Sequence, residues 1–134
     1  MVKLQLKRQI FKEISLKSNI HGEVKLEIGT KFNFNIRYSA DGKTSVATLR
    51  QIAELKSDPS ALNITVEAVG VFDCEQMNTP EDKREAHIAA YHYLFPYAQR
   101  KIAELFVDAG FPPLMLKMAE IREEDIVIVG TRQN

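Results

Sequence analysis

Leu94-Phe95-Pro96-Tyr97-Ala98 and, about one helix further on, Gly110-Phe111-Pro112-Pro113-Leu114 decide how this chain is read. Between them Ala98, Ile102, Leu105, Phe106 and Ala109 recur at helical spacing, with Arg100, Lys101, Glu104 and Asp108 on the opposite side. The spacing predicts a one-faced helix. Pro96 stands where a helix is broken or restarted, because proline lacks the amide proton and its ring crowds the preceding turn. Gly110 stands where a helix is commonly closed. The Pro112-Pro113 pair then forces an extended run into Leu114-Met115-Leu116, which is apolar yet cannot continue the helix.

Upstream, Thr79-Pro80-Glu81-Asp82 combines an N-cap residue, proline at the first helical position and acids in the first turn, predicting a helix from there toward Leu94. Everything earlier alternates. Val2, Leu4, Leu6, Ile10, Ile14 and Leu16 fall at even positions, interrupted by Arg8 and Lys12. After a turn at Ser18-Asn19-Ile20-His21-Gly22 the alternation resumes as Val24, Leu26, Ile28, Phe32, Phe34, Ile36 and Tyr38, either one long strand or two pieces joined at Gly29. Ala40-Asp41-Gly42-Lys43 supplies a turn. Thr44 to Lys56 is ambiguous: Val46, Leu49, Ile52 and Ala53 fit a helix, and Ala47, Leu49, Ala53 and Leu55 fit a strand with a polar fault at Gln51. The pattern alone narrowly favours helix. Leu62, Ile64, Val66 and Ala68 then mark a strand, with Gly70 a candidate bulge. Strands first and helices last indicate an α+β domain with an antiparallel sheet.

The 134 residues suit one domain, 1–134, and contain no repeat or linker. Basic and acidic residues balance at 18 each, so no basic field recruits nucleic acid or an anionic membrane. No apolar run approaches the roughly 18 residues of a membrane span, and residues 1–8 alternate where a signal peptide would be unbroken, so the expected location is cytoplasmic. The lone Cys74 fits a reducing compartment.

Catalytic chemistry finds little support. His87 and His92 share one helix at i, i+5, which does not place them on one face as a metal pair; His21 stands apart. Asp73 and Glu75 beside Cys74 would raise its thiol pKa, as suits an inert cysteine. No phosphate-cradling glycine loop, nucleophile elbow or Cys-x-x-Cys occurs. The expectation is a protein that is not an enzyme and needs no cofactor or metal. What remains is an excess of adaptable apolar groups: Phe95, Tyr97, Phe111, Leu114, Met115, Leu116 and Met118. Each has the ordinary alternative of filling the core between helix and sheet; together they form a plausible peptide-binding surface, the rival reading being a structural or adaptor oligomer that uses the same surface for one folded partner.

These residues resemble the SecB export chaperones and their SecB-like relatives. The likeness rests on the two proline motifs, on Ile64-Thr65-Val66-Glu67-Ala68-Val69-Gly70-Val71-Phe72, on Lys12-Glu13-Ile14-Ser15-Leu16 and on Glu23-Val24-Lys25-Leu26-Glu27-Ile28, in order over roughly residues 8–118. It implies a four-stranded antiparallel sheet with C-terminal helices packed on one face, assembled as a homotetramer, a dimer of dimers. It also implies that Thr44 to Lys56 is a strand, against the helical pattern. Members are ATP-independent holdases that keep unfolded preproteins from collapsing and pass them to the SecA motor; some relatives instead guard an antitoxin. By this resemblance, clients contact Val24, Leu26, Ile28, Phe72, Phe95, Tyr97, Phe111, Leu114, Leu116 and Met118. Ile64, Val66 and Ala68 match positions that control tetramer formation, with ordinary sheet core as the alternative. Glu13 matches a motor-docking acid, whereas Lys17 and Thr65 stand at the others, which predicts weak, salt-sensitive SecA binding. Residues 118–134 depart from the family pattern: where the family has a lid helix and often an acidic tail, the acidic run 119–125 leads into Ile126-Val127-Ile128-Val129-Gly130 and reads as a strand or a short helix plus an apolar tail.

Overall fold

The computed structural model describes residues 3–20, 26–75, 79–114 and 128–130. Four long strands, β1 (Leu4–Ser18), β2 (Ile28–Tyr38), β3 (Thr44–Leu55) and β4 (Leu62–Cys74), precede one helix, α1 (Pro80–Asp108), and a three-residue strand, β5 (Ile128–Gly130). β2, β3 and β4 form an antiparallel meander, β1 adds antiparallel beside β4, and β5 runs parallel along β2. The spatial order is β1-β4-β3-β2-β5. The four long strands are the expected antiparallel sheet.

Thr44–Leu55 is a strand paired on both edges, so the helical pattern there gives way to the sheet. Ser45, Ala47, Leu49, Gln51, Ala53 and Leu55 are buried together, and the Val46 and Ile52 of the helical reading lie on the opposite face. The polar fault at Gln51 is tolerated in this buried row. β2 passes Gly29 without a break, Ile28 facing Leu55 and Gly29 facing Glu54, so this glycine joins no separate pieces. Val24, where the alternation resumes in the sequence, lies outside the described residues.

β1 carries the main departure. Its register against β4 shifts between Leu6 and Arg8 and again between Phe11 and Glu13. Each shift adds one residue to β1 and exchanges the faces that follow. Leu6 and Phe11 therefore face the helix opposite Phe72 and Ala68, while Ile10 turns outward opposite Val69. The irregularities coincide with the charged interruptions of the alternation. Gly70 is not the bulge; it pairs regularly with Gln9 and Ala47. A Cβ there would lie 3.0 Å from Phe72 Cε2 and 3.1 Å from Leu94 Cδ2, so glycine permits the close approach of the helix.

The helices expected before and after Pro96 are one continuous helix. α1 continues through Pro96 because both Pro96 and His92, whose carbonyl loses its i+4 donor, are exposed and water can serve that acceptor. Thr79 caps the N-terminus in a reciprocal capping box with Asp82, and Pro80 occupies the first turn. At the other end the Gly110 amide donates to Val107 O and the Phe111 amide to Phe106 O at 3.0 Å, with Gly110 at φ 92°, a Schellman closure. Phe106 and Phe111 supply its apolar contact, ring centroids 6.3 Å apart.

The core lies between α1 and one face of the sheet, chiefly β4 and β3. Tyr91, Leu94, Ala98, Ile102 and Phe106 from the helix meet Ile36, Leu49, Leu55, Leu62, Ile64, Val66 and Phe72. Each fully buried aliphatic or aromatic side chain is worth about 1.5–3 kcal/mol. No helix among the described residues is long and apolar enough to cross a membrane.

Candidate functional site

Among the described residues one helix lies over a sheet four long strands wide, and apolar side chains of the outer strands keep accessible surface on either side of it. The helix starts over the end of β2, where Tyr38 Oη donates to Lys83 O at 3.1 Å, and burial pushes the Tyr38 phenol pKa up. It passes Phe34 through His87 and Tyr91, then crosses to β1, where Phe11 stacks on Tyr97.

On the β2 flank, Phe32 is 45% and Leu26 40% exposed, and Ile28 and Phe34 are half-buried beside them. Tyr91 lies 5.9 Å from Phe32 and 5.4 Å from Phe34, ring to ring. On the β1 flank, Ile14 is 48% exposed, and Phe11, Leu16 and Tyr97 are half-buried. Arg100 and Lys101 lie over the Tyr97 and Phe11 rings at 5.5 and 5.6 Å, and Tyr97 Oη reaches Gln9 O at 3.5 Å. Past the helix, Gln99 Nε2 donates to Leu114 O at 2.7 Å, holding the Pro112-Pro113-Leu114 run against the helix. Phe111 and Leu114 are half-buried there.

Of the residues expected to meet clients, Leu26, Ile28, Tyr97, Phe111 and Leu114 thus keep accessible apolar surface. Phe72 and Phe95 do not: they are 0% and 6% exposed, packed between sheet and helix. Val24, Leu116 and Met118 lie outside the described residues, as does most of 118–134; Ile128–Gly130 of the apolar tail forms β5. Ile64, Val66 and Ala68 are completely buried within the chain's own core and offer a second copy no surface. Their alternation reports the helix-facing side of β4, which is the ordinary reason for it. Phe11, Ile14, Phe32 and Phe34 are the accessible residues that the sequence reading did not single out. Their signal was present in the apolar alternation of the first two strands.

On the opposite face of the sheet no helix packs among the described residues. Glu13 is there, but its carboxylate takes Arg50 Nη1 at 2.7 Å, and the same guanidinium reaches Glu67 at 3.1 Å. Lys17 and Thr65 lie on this face too, opposite Asn63 and Ser15. Its remaining carboxylates, Glu54 and Asp73, pair with Lys31 at 3.1 Å and Lys7 at 3.5 Å.

The titratable groups among the described residues form no reactive centre. Cys74 is 9% exposed; burial pushes its thiol pKa up, a Ser45 hydrogen bond opposes this, and Asp73 adds to it. His87 is buried with Nδ1 lacking a hydrogen-bond partner, and desolvation lowers its pKa to about 4. His92 is exposed, and no cluster of metal-ligating side chains occurs among the described residues.

The model of the family "Preprotein translocase subunit SecB" matches residues 1–122. Among relatives, the protein-export protein SecB of Polaromonas sp. is 24% identical over 122 residues, 87% of this chain and 80% of its own length. That of Methylibium petroleiphilum is 22% identical over 117 residues, 84% of this chain and 72% of its own. Among solved structures, a SecB-like chaperone of Mycobacterium tuberculosis, in complex with a ChAD peptide from the HigA1 antitoxin, superposes with a TM-score of 0.66 at 16% identity. The match covers 87% of this chain and 88% of that one. By the extent of the family match and the shared fold, this chain belongs to the SecB family of protein-export chaperones.

Proposed function

We propose that the chain is an ATP-independent holdase of the cytoplasm, binding unfolded segments along the two apolar flanks of α1. The observation that carries this is the exposure of Phe32, Leu26 and Ile14 at 45%, 40% and 48% beside half-buried aromatic side chains. A folded chain gains nothing from wetting such groups, whereas an unfolded client covers them by area, with little demand on its sequence. Weak local contacts add up when several copies bind one client. The edge of β1, fifteen residues long and unpaired among the described residues, supports pairing between copies, and from there the homotetramer, a dimer of dimers. Aggregation of an unfolded client, followed by light scattering without ATP, tests this reading: suppression at stoichiometric protein is expected, and its absence removes the proposal.

A dedicated client, an antitoxin in place of general preproteins, is the second reading. It is favoured by the structural neighbour solved with an antitoxin peptide and by the capture of Glu13 by Arg50. With its matching acid engaged, the sheet presents little to a basic tail, and SecA docks weakly and salt-sensitively.

A further inference from the structure

Carboxylates on the helix-free face are matched by basic partners, yet the basic side chains outnumber them. Glu13, Glu54, Glu67 and Asp73 all have cationic partners at 2.7 to 3.5 Å. Arg8 and Arg37 are exposed and make no ion pair or hydrogen bond with the described residues. The register places them in one row across the sheet, Arg8 on β1, Val71 on β4, Val46 on β3 and Arg37 on β2. In the next row, Ile10 lies opposite Val69. Ile10 and Val46 are each 38% exposed, and Val69 and Val71 are half-buried between them. The result is an aliphatic floor with an uncommitted guanidinium at either end, in a chain whose total charge is zero.

We propose that this face docks an acidic, aliphatic-bearing segment of a partner protein in extended conformation. Geometry sets its pattern. Arg8 and Arg37 are separated by three strand spacings, about 14 Å, too far for one phosphate or carboxylate to bridge. An extended peptide rises about 3.3 Å per residue and returns to the same face every second residue, so two acids four residues apart span that distance with an aliphatic residue midway. The partner motif is acid-x-aliphatic-x-acid, its carboxylates on the two arginine forks and its middle side chain on Val46 and Val71. The flanks of α1 discriminate little by charge; this face selects for it. The proposal stands independently of the holdase reading.

The test is fluorescence anisotropy of a labelled, capped decapeptide centred on Glu-Ser-Val-Ser-Glu, titrated with the whole protein at low and moderate salt. Binding is expected to weaken at least tenfold for a Gln-Ser-Val-Ser-Gln control and for the Arg8→Glu, Arg37→Glu double variant. Both arginines are exposed, so the variant keeps its circular dichroism and its suppression of client aggregation. Absence of binding overturns the proposal, as does a Lys-Ser-Val-Ser-Lys peptide binding equally or better, which would make the occupant a basic tail. A change in sedimentation of Arg37→Glu alone also overturns it, since the face would then be covered by a second copy; Arg8 is left out of this comparison because it lies on the β1 edge proposed to pair copies. Loss of aggregation suppression by the parent protein, with peptide binding retained, would remove the holdase reading and leave this one.

Discussion

Phe11 of β1 lies flat on Tyr97 of α1, ring centroids 4.2 Å apart and planes 5° from parallel. The pair fixes the second half of the helix to an edge strand that it otherwise barely covers, and it forms the wall of one apolar flank. Double-mutant cycles with Phe11→Ala and Tyr97→Ala, read by urea denaturation, are expected to give a coupling of about 0.5–1.5 kcal/mol. Additive losses would mean that the stack contributes no more than its separate burial.

Phe32→Asp tests the other flank. Phe32 is 45% exposed, so a charge there remains hydrated and the melting temperature changes little. Affinity for a labelled unfolded client should fall by about 1–2 kcal/mol, the worth of one aromatic side chain that the client no longer covers. An unchanged affinity would move the client path away from β2.

Val66→Asp separates core from interface. Val66 is fully buried under α1, so the new carboxylate has neither water nor partner, and the expected loss is about 3–5 kcal/mol. Circular dichroism should show a largely unfolded chain. A folded protein of reduced oligomeric state would restore the tetramer-controlling role that the family resemblance assigned to this strand.

Acid should weaken the fold through His87. Its folded pKa, about 4, lies below the ordinary 6.5, so the neutral imidazole stabilises fully above pH 6.5 and that contribution is lost as pH falls toward 4. At about 1.4 kcal/mol per unit, the loss approaches ~3 kcal/mol. Urea midpoints from pH 7 to 4 should fall more steeply for the parent than for His87→Leu; parallel curves would place the acid sensitivity elsewhere.

The sheet and the helix ends were legible because each rests on local chemistry. Thr79, Pro80 and Asp82 make a cap without help from distant residues, and so do Gly110 and Phe111. Thr44–Leu55 was not legible from its pattern, since Val46 and Ile52 are as apolar as the buried row; two neighbouring strands decided the outcome. The register shifts in β1 were hidden for a similar reason. A bulge is a relation between two strands, and only the interruptions at Arg8 and Lys12 hinted at it. For the site, the residues expected to meet clients divide by burial, Leu26, Ile28, Tyr97, Phe111 and Leu114 keeping accessible surface and Phe72 and Phe95 none to speak of, a difference that neither apolar spacing nor the resemblance carries. Which apolar residues stay wet depends on where the one helix crosses the sheet.

That helix also carries a lasting demand at its back. Because Pro96 has no amide proton, the His92 carbonyl keeps a free lone pair on the exposed side, amid Tyr93 and Pro96. A partner that closes over this side with hydrocarbon alone would strand the acceptor, at about 1–3 kcal/mol. Whatever packs there must bring a donor to that one point or leave a water in place. A single missing hydrogen thereby sets one polar condition on anything that packs against this side of the helix.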